Sequence, residues 1–291
     1  MKVLLTGATG LVGSGVLKAL LAHGHEVTAL VRSEQSASTV RAAGATPLLG
    51  DITDVEWLTE RLREVDGAIH AATTNDGDAV AFDRGVATAA AQAFDGSGKS
   101  YVHTGGAWVW GSGADVREDA PFDAPELTSW RADVEKIAIS LEGARGTVVA
   151  PGIVYGGGRG IAGLQTYGPT TDDGRLRLIG DGSQHWTTVH ADDLGELYVR
   201  ALTDGEAGTY YIGASGSNPT VREIAEAAAA ARGLAGVAEE SVEQTRERFG
   251  AAFADALLLD QQTKAERSKA LGWAPSRPTL VEEIRTGVYT S

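Results

Sequence analysis

Residues 3–13 read VLLTGATGLVG, and this stretch decides the fold. An apolar run is followed at once by Gly7, Gly10 and Gly13, and then by a helix-like apolar pattern over residues 16–21. A side chain at these glycines would block the tight turn, the approach of a pyrophosphate, or the packing of helix on strand. The helix N-terminus offers free N–H groups and a positive dipole end to phosphates. The pattern therefore predicts a dinucleotide-binding turn, with an ordinary glycine-rich turn as the alternative.

Composition limits the classes of protein to consider. The chain has 291 residues, is 43% hydrophobic, carries a formal net charge of −14 and contains no cysteine. This length allows one large α/β domain, or a nucleotide-binding domain with a smaller appendage. The charge argues against nucleic-acid binding, and no apolar run approaches the roughly 18 residues of a membrane span. The absence of cysteine and of a signal-peptide pattern predicts a cytoplasmic protein, and the spacing of His, Asp and Glu predicts no metal site.

The end of the second predicted strand, residues 26–31, bears on the choice of cofactor. NAD sites place a carboxylate about 20 residues beyond the glycines, where it binds the ribose hydroxyls. This chain has Val31 there, followed by Arg32 and Ser33. A guanidinium and a hydroxyl can bind the 2′-phosphate of NADP, which a carboxylate would repel. We therefore predict NADP, with Arg32 as an ordinary solvated loop arginine as the alternative.

Two further strand ends are predicted to contact the same cofactor. Asp51 and Ile52 follow a strand at residues 46–49, and Asp51 suits either the adenine amino group or the N-cap region of the next helix. Small residues follow the strand at 67–70, where they let a ribose or pyrophosphate lie against the backbone. These small residues are Ala71, Ala72 and Thr73.

Strands and helices alternate through the first half of the chain, and the second half is looser and rich in glycine. Helices are predicted over 55–62, 79–94, 129–141, 192–202, 224–231, 261–271 and 280–286, and further strands over 101–104, 147–150 and 210–212. This order predicts an α/β fold: a Rossmann-type doubly wound parallel sheet with a smaller C-terminal substrate lobe. We assign residues 1–155 to the NADP-binding domain, with return elements at about 187–212, and residues 156–291 mainly to the substrate side.

Motifs spread along nearly the whole chain resemble those of the extended short-chain dehydrogenase/reductase family, which includes NAD(P)-dependent epimerases, dehydratases and reductases. They are TGATGLVG (6–13), GDITD (50–54), HAAT (70–73), PGIVYG (151–156), WTTVHADDLG (186–195) and LGWAP (271–275). The resemblance implies cofactor contacts from Gly7, Thr9, Gly10, Leu11 and Val12 in the first motif, and from Pro151 and Ile153 beside the nicotinamide. It also implies a homodimer formed through helices 79–94 and 129–141.

The catalytic residues of that family are missing here. The family uses a Ser or Thr after the fifth strand and a Tyr-x-x-x-Lys on the next helix, where the tyrosine donates a proton as hydride arrives. None of the seven tyrosines of this chain has a lysine four residues later. Aligning Glu135 on the family's helix glutamate puts Leu127 at the tyrosine position and Arg131 at the lysine position. Gly106 falls where the catalytic hydroxyl belongs.

Other residues are candidates for the chemistry. Thr104 and Tyr155 are candidate proton donors, and Arg131 is predicted to bind the nicotinamide ribose, although its fixed charge makes a poor proton relay. Tyr155 could instead have a structural role, and Arg131 could instead form an ion pair with Glu135. His103 is a further polar candidate, and its alternative is a hydrogen-bonded histidine of the core. We predict an NADP(H)-dependent oxidoreductase that acts on a small organic substrate with a non-standard proton donor. A non-catalytic NADP(H) redox sensor and a nucleotide-sugar epimerase or isomerase remain the alternatives.

Overall fold

A computed structural model describes residues 1–74 and 78–289. The strands in these ranges are β1 (Lys2–Thr6), β2 (Glu26–Val31), β3 (Thr46–Leu49), β4 (Gly67–His70), β5 (Ser100–Thr104), β6 (Gly113–Val116), β7 (Arg145–Pro151), β8 (Ile153–Tyr155), β9 (Leu176–Arg177), β10 (Thr188–His190), β11 (Thr209–Gly213), β12 (Val237–Ala238) and β13 (Gln261–Thr263). The helices are α1 (Leu11–Ala22), α2 (Glu34–Ala42), α3 (Val55–Arg63), α4 (Ala79–Phe94), α5 (Arg131–Ile139), α6 (Gly163–Thr166), α7 (Ala191–Asp204), α8 (Val221–Ala231), α9 (Val242–Phe249), α10 (Ala251–Leu257), α11 (Glu266–Ala270) and α12 (Leu280–Arg285).

The central sheet has seven parallel strands in the order β11-β7-β5-β4-β1-β2-β3. Strand β1 is buried on both faces: Leu5 packs in a core with α1 and α7, whereas Leu4 packs in a second core with α3, α4 and α5. The strand order reverses between β1 and β4, and that switch point opens a crevice at the carboxyl ends of the strands. The predicted Rossmann-type doubly wound fold is confirmed.

Helices α1 and α7 pack backbone against backbone. A Cβ atom at Gly15 of α1 would lie 2.2 Å from the carbonyl oxygen of Ala191, and one at Gly195 of α7 would lie 2.3 Å from the carbonyl oxygen of Gly15. Side chains at these two positions would force the helices apart. The glycines therefore set the distance between the helix that follows the glycine turn and α7.

A third core forms the smaller lobe, which is built largely from the chain after β7. It contains buried residues of α8 and α12, together with Tyr155 and Trp186. Short parallel pairs β8 with β10 and β9 with β12 connect its segments. None of the helices in the described ranges is long and apolar enough to cross a membrane.

The structure differs from the sequence predictions mainly in the second half. The helix predicted over 261–271 is wrong in its first part, because Gln261–Thr263 forms strand β13 beside β6. The Gln261 side-chain amide donates to the carbonyl oxygens of Ala107 and Gly111, both at 2.8 Å, and fixes this pairing. Helices α2, α9 and α10 were not predicted. In the polar helix α2 only Ala37 and Val40 are buried, which leaves little apolar periodicity to detect.

Candidate cofactor and active site

A cleft of about 490 Å³ lies at the carboxyl ends of β1, β2 and β4. This is where a doubly wound sheet places its ligands. Most of the predicted cofactor contacts line the cleft, namely Gly7, Thr9, Gly10, Leu11, Val12, Arg32, Ile52, Ala71, Ala72 and Thr73. The cleft thus brings together residues from four separate strand ends.

The first turn of α1 faces this cleft with unpaired backbone N–H groups. Gly10 is the N-cap residue and supplies no side-chain cap, so the amides of the first turn are left for an external acceptor. A Cβ atom at Gly13 would lie 2.0 Å from the carbonyl oxygen of Gly7, which explains why the turn needs glycine there. The arrangement fits the pyrophosphate of a dinucleotide.

A buried hydrogen-bond chain leads away from the cleft. The Thr6 hydroxyl accepts the N–H groups of Ala71 (3.1 Å) and Ala72 (3.2 Å), so its own proton points to Nδ1 of His70 at 2.8 Å. His70 then carries its proton on Nε2 and donates it to Asp83 at 3.2 Å. Burial opposes ionisation of the Asp83 carboxyl, but the hydrogen bond that it accepts from His70 contributes to a pKa below the ordinary value. Asp83 therefore remains an anion.

At the adenosine end of the cleft, Arg32 follows β2 and Ser36 lies in the first turn of α2. Ser33 does not line the cleft, because its hydroxyl caps α2 by accepting the N–H of Ser36 and also donates to the Ser36 hydroxyl, both at 3.2 Å. Sequence reasoning missed Ser36, although an N-cap serine predicts which residues occupy the next turn. Among the described residues that line the cleft there is no carboxylate.

Asp51 is not the N-cap of α3, and its contact with the adenine amino group stays a prediction. Its carboxylate accepts the N–H (2.9 Å) and the hydroxyl (2.7 Å) of Thr53, and these bonds lower its pKa. Asp54 is the residue that caps α3, by accepting the N–H of Trp57 at 3.0 Å. Asp51 therefore stabilises the loop before α3, and its neighbour Ile52 lines the cleft instead.

Arg131 lies beside the carboxyl end of β5. Its Nη1 donates to the Thr104 carbonyl oxygen at 3.3 Å and lies 3.9 Å from Asp83 Oδ2, while the guanidinium covers the Trp130 ring at 4.8 Å. The carboxylate that pairs with it is thus Asp83 and not Glu135. A Cβ atom at Gly106 would come within 3.9 Å of Arg131 Nε, so the glycine leaves open space next to the guanidinium.

Glu135 lies one helical turn after Arg131 and is only 1% exposed. Neither carboxyl oxygen has a partner within hydrogen-bond distance in the described part of the chain. Burial raises its pKa to about 7, against the opposing effect of the Arg131 charge. A Cβ atom at Gly105 would lie 2.6 Å from Oε1, so this glycine makes room for the carboxyl group. From sequence, Glu135 was considered only as an ion-pair partner of Arg131.

The two candidate proton donors are both hydrogen-bonded inside the protein. The Thr104 hydroxyl donates to the His70 carbonyl oxygen at 2.5 Å and accepts from the Tyr198 hydroxyl at 2.7 Å. The Tyr155 hydroxyl donates to the carbonyl oxygen of Pro278 at 2.6 Å, and burial raises its pKa. Tyr155 belongs to the core of the smaller lobe, whereas Thr104 contacts Arg131 directly.

The two predicted contacts beside the nicotinamide are buried next to the cleft and do not line it. Pro151 pairs with Gly213 at the end of β7, and Ile153 begins β8 and is 3% exposed. His103, on β5, is fully buried and accepts from or donates to the Tyr101 hydroxyl at 2.8 Å, as expected for a core histidine. Within residues 1–74 and 78–289, no three His, Asp or Glu side chains are grouped to hold a metal ion.

Comparisons with known proteins agree with this geometry. The family model described as NAD(P)H-binding matches residues 7–141. An uncharacterized protein of Schizosaccharomyces pombe is 29% identical over 302 residues, covering 99% of this chain and 100% of its own length. The 4-hydroxy-2-methyl-3-oxo-4-farnesyl-3,4-dihydroquinoline-1-oxide ketoreductase of Stigmatella aurantiaca is 29% identical over 242 residues, covering 77% of this chain and 71% of its own.

A solved structure extends the similarity to the whole fold. The human epimerase family protein SDR39U1, crystallised with NADPH, superposes with a TM-score of 0.77 at 22% identity, covering 99% of both chains. At this identity the match concerns the fold. The fold of this chain is thus shared with a protein that was crystallised with NADPH.

Proposed function

We propose that this chain, whose motifs resemble those of the extended short-chain dehydrogenase/reductase family, is an NADP(H)-dependent reductase of a carbonyl group in a small organic substrate. The observation that carries the proposal is the cleft at the switch point, which has Arg32 and Ser36 at its adenosine end and no carboxylate among its described lining residues. The ketoreductase name of the Stigmatella relative supports the choice of reaction.

The cleft residues fit the cofactor chemically. The free N–H groups at the start of α1 suit a pyrophosphate, and Ala71 and Ala72 keep the neighbouring strand end thin enough for a ribose. Arg32 and the Ser36 hydroxyl offer charge-assisted hydrogen bonds to a 2′-phosphate. When bound, the nicotinamide supplies the hydride.

Arg131 takes the place of the family's lysine. Asp83 and the Thr104 carbonyl oxygen hold one side of its guanidinium, and the open space at Gly106 leaves its other side accessible. A guanidinium donates several hydrogen bonds in a fixed plane, so it can bind ribose hydroxyls and stabilise negative charge that develops on a substrate oxygen. It does not release a proton at any physiological pH. Arg131 therefore positions the ribose and stabilises negative charge on the substrate oxygen, and another group protonates that oxygen.

Water is the proton source that this arrangement favours. The Thr104 proton is engaged with the His70 carbonyl oxygen, and the Tyr155 hydroxyl is engaged with Pro278. Thr104 remains the candidate protein donor, but water would have to return its proton, because burial raises the pKa of its partner Tyr198. Tyr155 has no part in this proposal.

Cofactor titration followed by a deuterium-transfer assay tests the proposal. We expect NADPH to bind at least about tenfold more tightly than NADH, because two charge-assisted hydrogen bonds hold the 2′-phosphate. Arg32→Gln should remove most of that preference, whereas Arg41→Gln, an exposed arginine at the other end of α2, should keep it. With 4-deuterated NADPH and a panel of ketones, deuterium should appear on the product's carbinol carbon. Equal affinities for the two cofactors, or no transfer to any ketone, would contradict the proposal.

A second function is supported by the hydrogen bonds that the Thr104 and Tyr155 hydroxyls donate inside the protein. If Thr104 and Tyr155 never release their protons, the protein is an NADP(H)-binding redox sensor without turnover. A sensor must distinguish the two oxidation states. Different affinities for NADPH and NADP⁺ combined with no turnover would favour the sensor, and indistinguishable affinities would exclude it.

The homodimer is a further proposal. Helices α4 and α5 pack side by side on one face of the sheet, and α4 presents small residues such as Ala81 and Gly85 at its surface. Small side chains allow a second pair of helices to approach closely. Light scattering that gives the mass of one chain at all concentrations would exclude this dimer.

A further inference from the structure

The cleft lacks a cation at its pyrophosphate end. Arg32 is the one basic side chain among its described lining residues, and it lies at the adenosine end. A pyrophosphate carries two negative charges, and the protein as a whole carries a net charge of −14. Backbone N–H groups supply only partial positive charge. A nearby guanidinium would therefore add substantially to cofactor affinity.

Arg159 lies against the first turn of α1. Its Nη2 lies 3.5 Å from the Ser14 hydroxyl of α1. The next residue, Gly160, packs on the cleft residue Leu11, since a Cβ atom there would lie 3.0 Å from Leu11 Cδ2. The side chain of Arg159 is exposed and has no carboxylate within 4.0 Å in the described ranges. Its guanidinium is thus beside the cleft and free to bind an anion.

The backbone around Arg159 is anchored while its side chain is not. The Tyr289 hydroxyl donates to the Arg159 carbonyl oxygen at 3.2 Å, and Glu283 accepts the N–H of Gly157 at 2.9 Å. The Tyr167 hydroxyl donates to the carbonyl oxygen of Gly158 at 3.4 Å. These contacts come from α6 and from the last helix and the turn after it. They hold the base of the arginine at a constant distance from α1.

We propose that Arg159 is a cofactor-binding residue whose guanidinium moves from Ser14 to the pyrophosphate oxygens at the first turn of α1. A rotation of the long side chain is sufficient, because its only hydrogen bond to the described residues is the 3.5 Å contact to Ser14. Guanidinium groups bind phosphate oxygens with two parallel hydrogen bonds, which are stronger than neutral ones. This inference rests on the proposed function because it needs a bound dinucleotide.

The test measures binding, by calorimetric titration of the full chain with four ligands: NADPH, NADH, ADP-ribose and adenosine 2′-monophosphate. Arg159→Gln should weaken NADPH, NADH and ADP-ribose by about tenfold or more, because all three contain the pyrophosphate. Adenosine 2′-monophosphate has no phosphate at the 5′ position, and its affinity should not change. Arg159→Lys should recover part of the loss. Arg285→Gln, an exposed arginine of the same lobe on α12, should behave as wild type.

The outcomes separate this inference from the proposed function. If the wild type binds neither NADPH nor NADH, both fail. If the wild type binds NADPH and Arg159→Gln binds ADP-ribose equally well, only the role of Arg159 is overturned. An equal loss for adenosine 2′-monophosphate would also overturn it, because that loss would indicate general damage to the site. Thermal melts of each variant exclude misfolding as the cause of weaker binding.

Discussion

Replacing Glu135 with glutamine should raise the free energy of unfolding at alkaline pH and change it little in acid. The buried carboxyl has a pKa of about 7 in the folded protein, against an ordinary value of 4.5. A folded-state pKa above the unfolded one means that stability is fully present below about pH 4.5 and is lost as the pH rises through about 7. The difference corresponds to about 3 kcal/mol, at about 1.4 kcal/mol for each tenfold change in proton affinity. Glutamine has nothing to ionise and avoids this cost.

Urea unfolding of the wild type and Glu135→Gln at about pH 4 and about pH 8 measures the effect. The stability of the variant relative to the wild type should increase by about 3 kcal/mol between the two conditions. The matched control is Asp133→Asn, which removes an exposed carboxylate from the same helix and should show no such change. If the relative stability of Glu135→Gln is the same at both pH values, Glu135 is not a protonated buried acid.

Further substitutions test other parts of the site. Gly13→Ala should destabilise the protein by about 3 kcal/mol or more, because the new Cβ atom would overlap a backbone oxygen. Gly85→Ala in α4 is the control: its Cβ atom would make only ordinary contacts, so a thermal melt should show unchanged or increased stability. Thr6→Val should cost about 2 kcal/mol in urea unfolding and weaken cofactor binding, because it strands two amides and releases His70. Burial lowers the pKa of His103 to about 3, so the free energy of unfolding should fall as the pH drops below about 6.5. His103→Gln keeps a hydrogen-bond acceptor for the neighbouring tyrosine, and its stability should fall less steeply with decreasing pH. An equally steep fall in the variant would contradict the role of His103 as a buried neutral histidine.

The local parts of the fold and of the cofactor site could be predicted from sequence. The glycine turn depends on residues 7–13 alone, and the alanine-rich composition of Ala79–Phe94 directly indicates a helix. In the same way, Arg32 follows its strand immediately and lines the cleft as expected. These features depend on neighbours in the chain, so their pattern carries the information.

The parts that sequence could not provide depend on contacts between distant segments. The pairing of Arg131 with Asp83 joins α5 to α4, and only the folded chain shows that Asp83 outcompetes the helix neighbour Glu135. Arg159 lies next to α1 because the glycine-rich loop at residues 156–160 packs against that helix in the folded chain. Strand β13 was mistaken for a helix because its partner β6 is nearly 150 residues earlier. Periodicity contains none of these relationships.

The backbone contact between α1 and α7 has a consequence for evolution and engineering. Gly195 packs against α1, and Tyr198, less than one turn further along α7, bonds the Thr104 hydroxyl. A single added methyl group at Gly195 would displace α7, and with it both the first turn of α1 that faces the cleft and the hydrogen bond between Tyr198 and Thr104. Substitutions at Gly195 therefore disturb two parts of the molecule at once. Arg32 and Ser36 line the cleft from the end of β2 and the start of α2, so substitutions at these two positions change the cleft without altering the contact between Gly15 and Gly195.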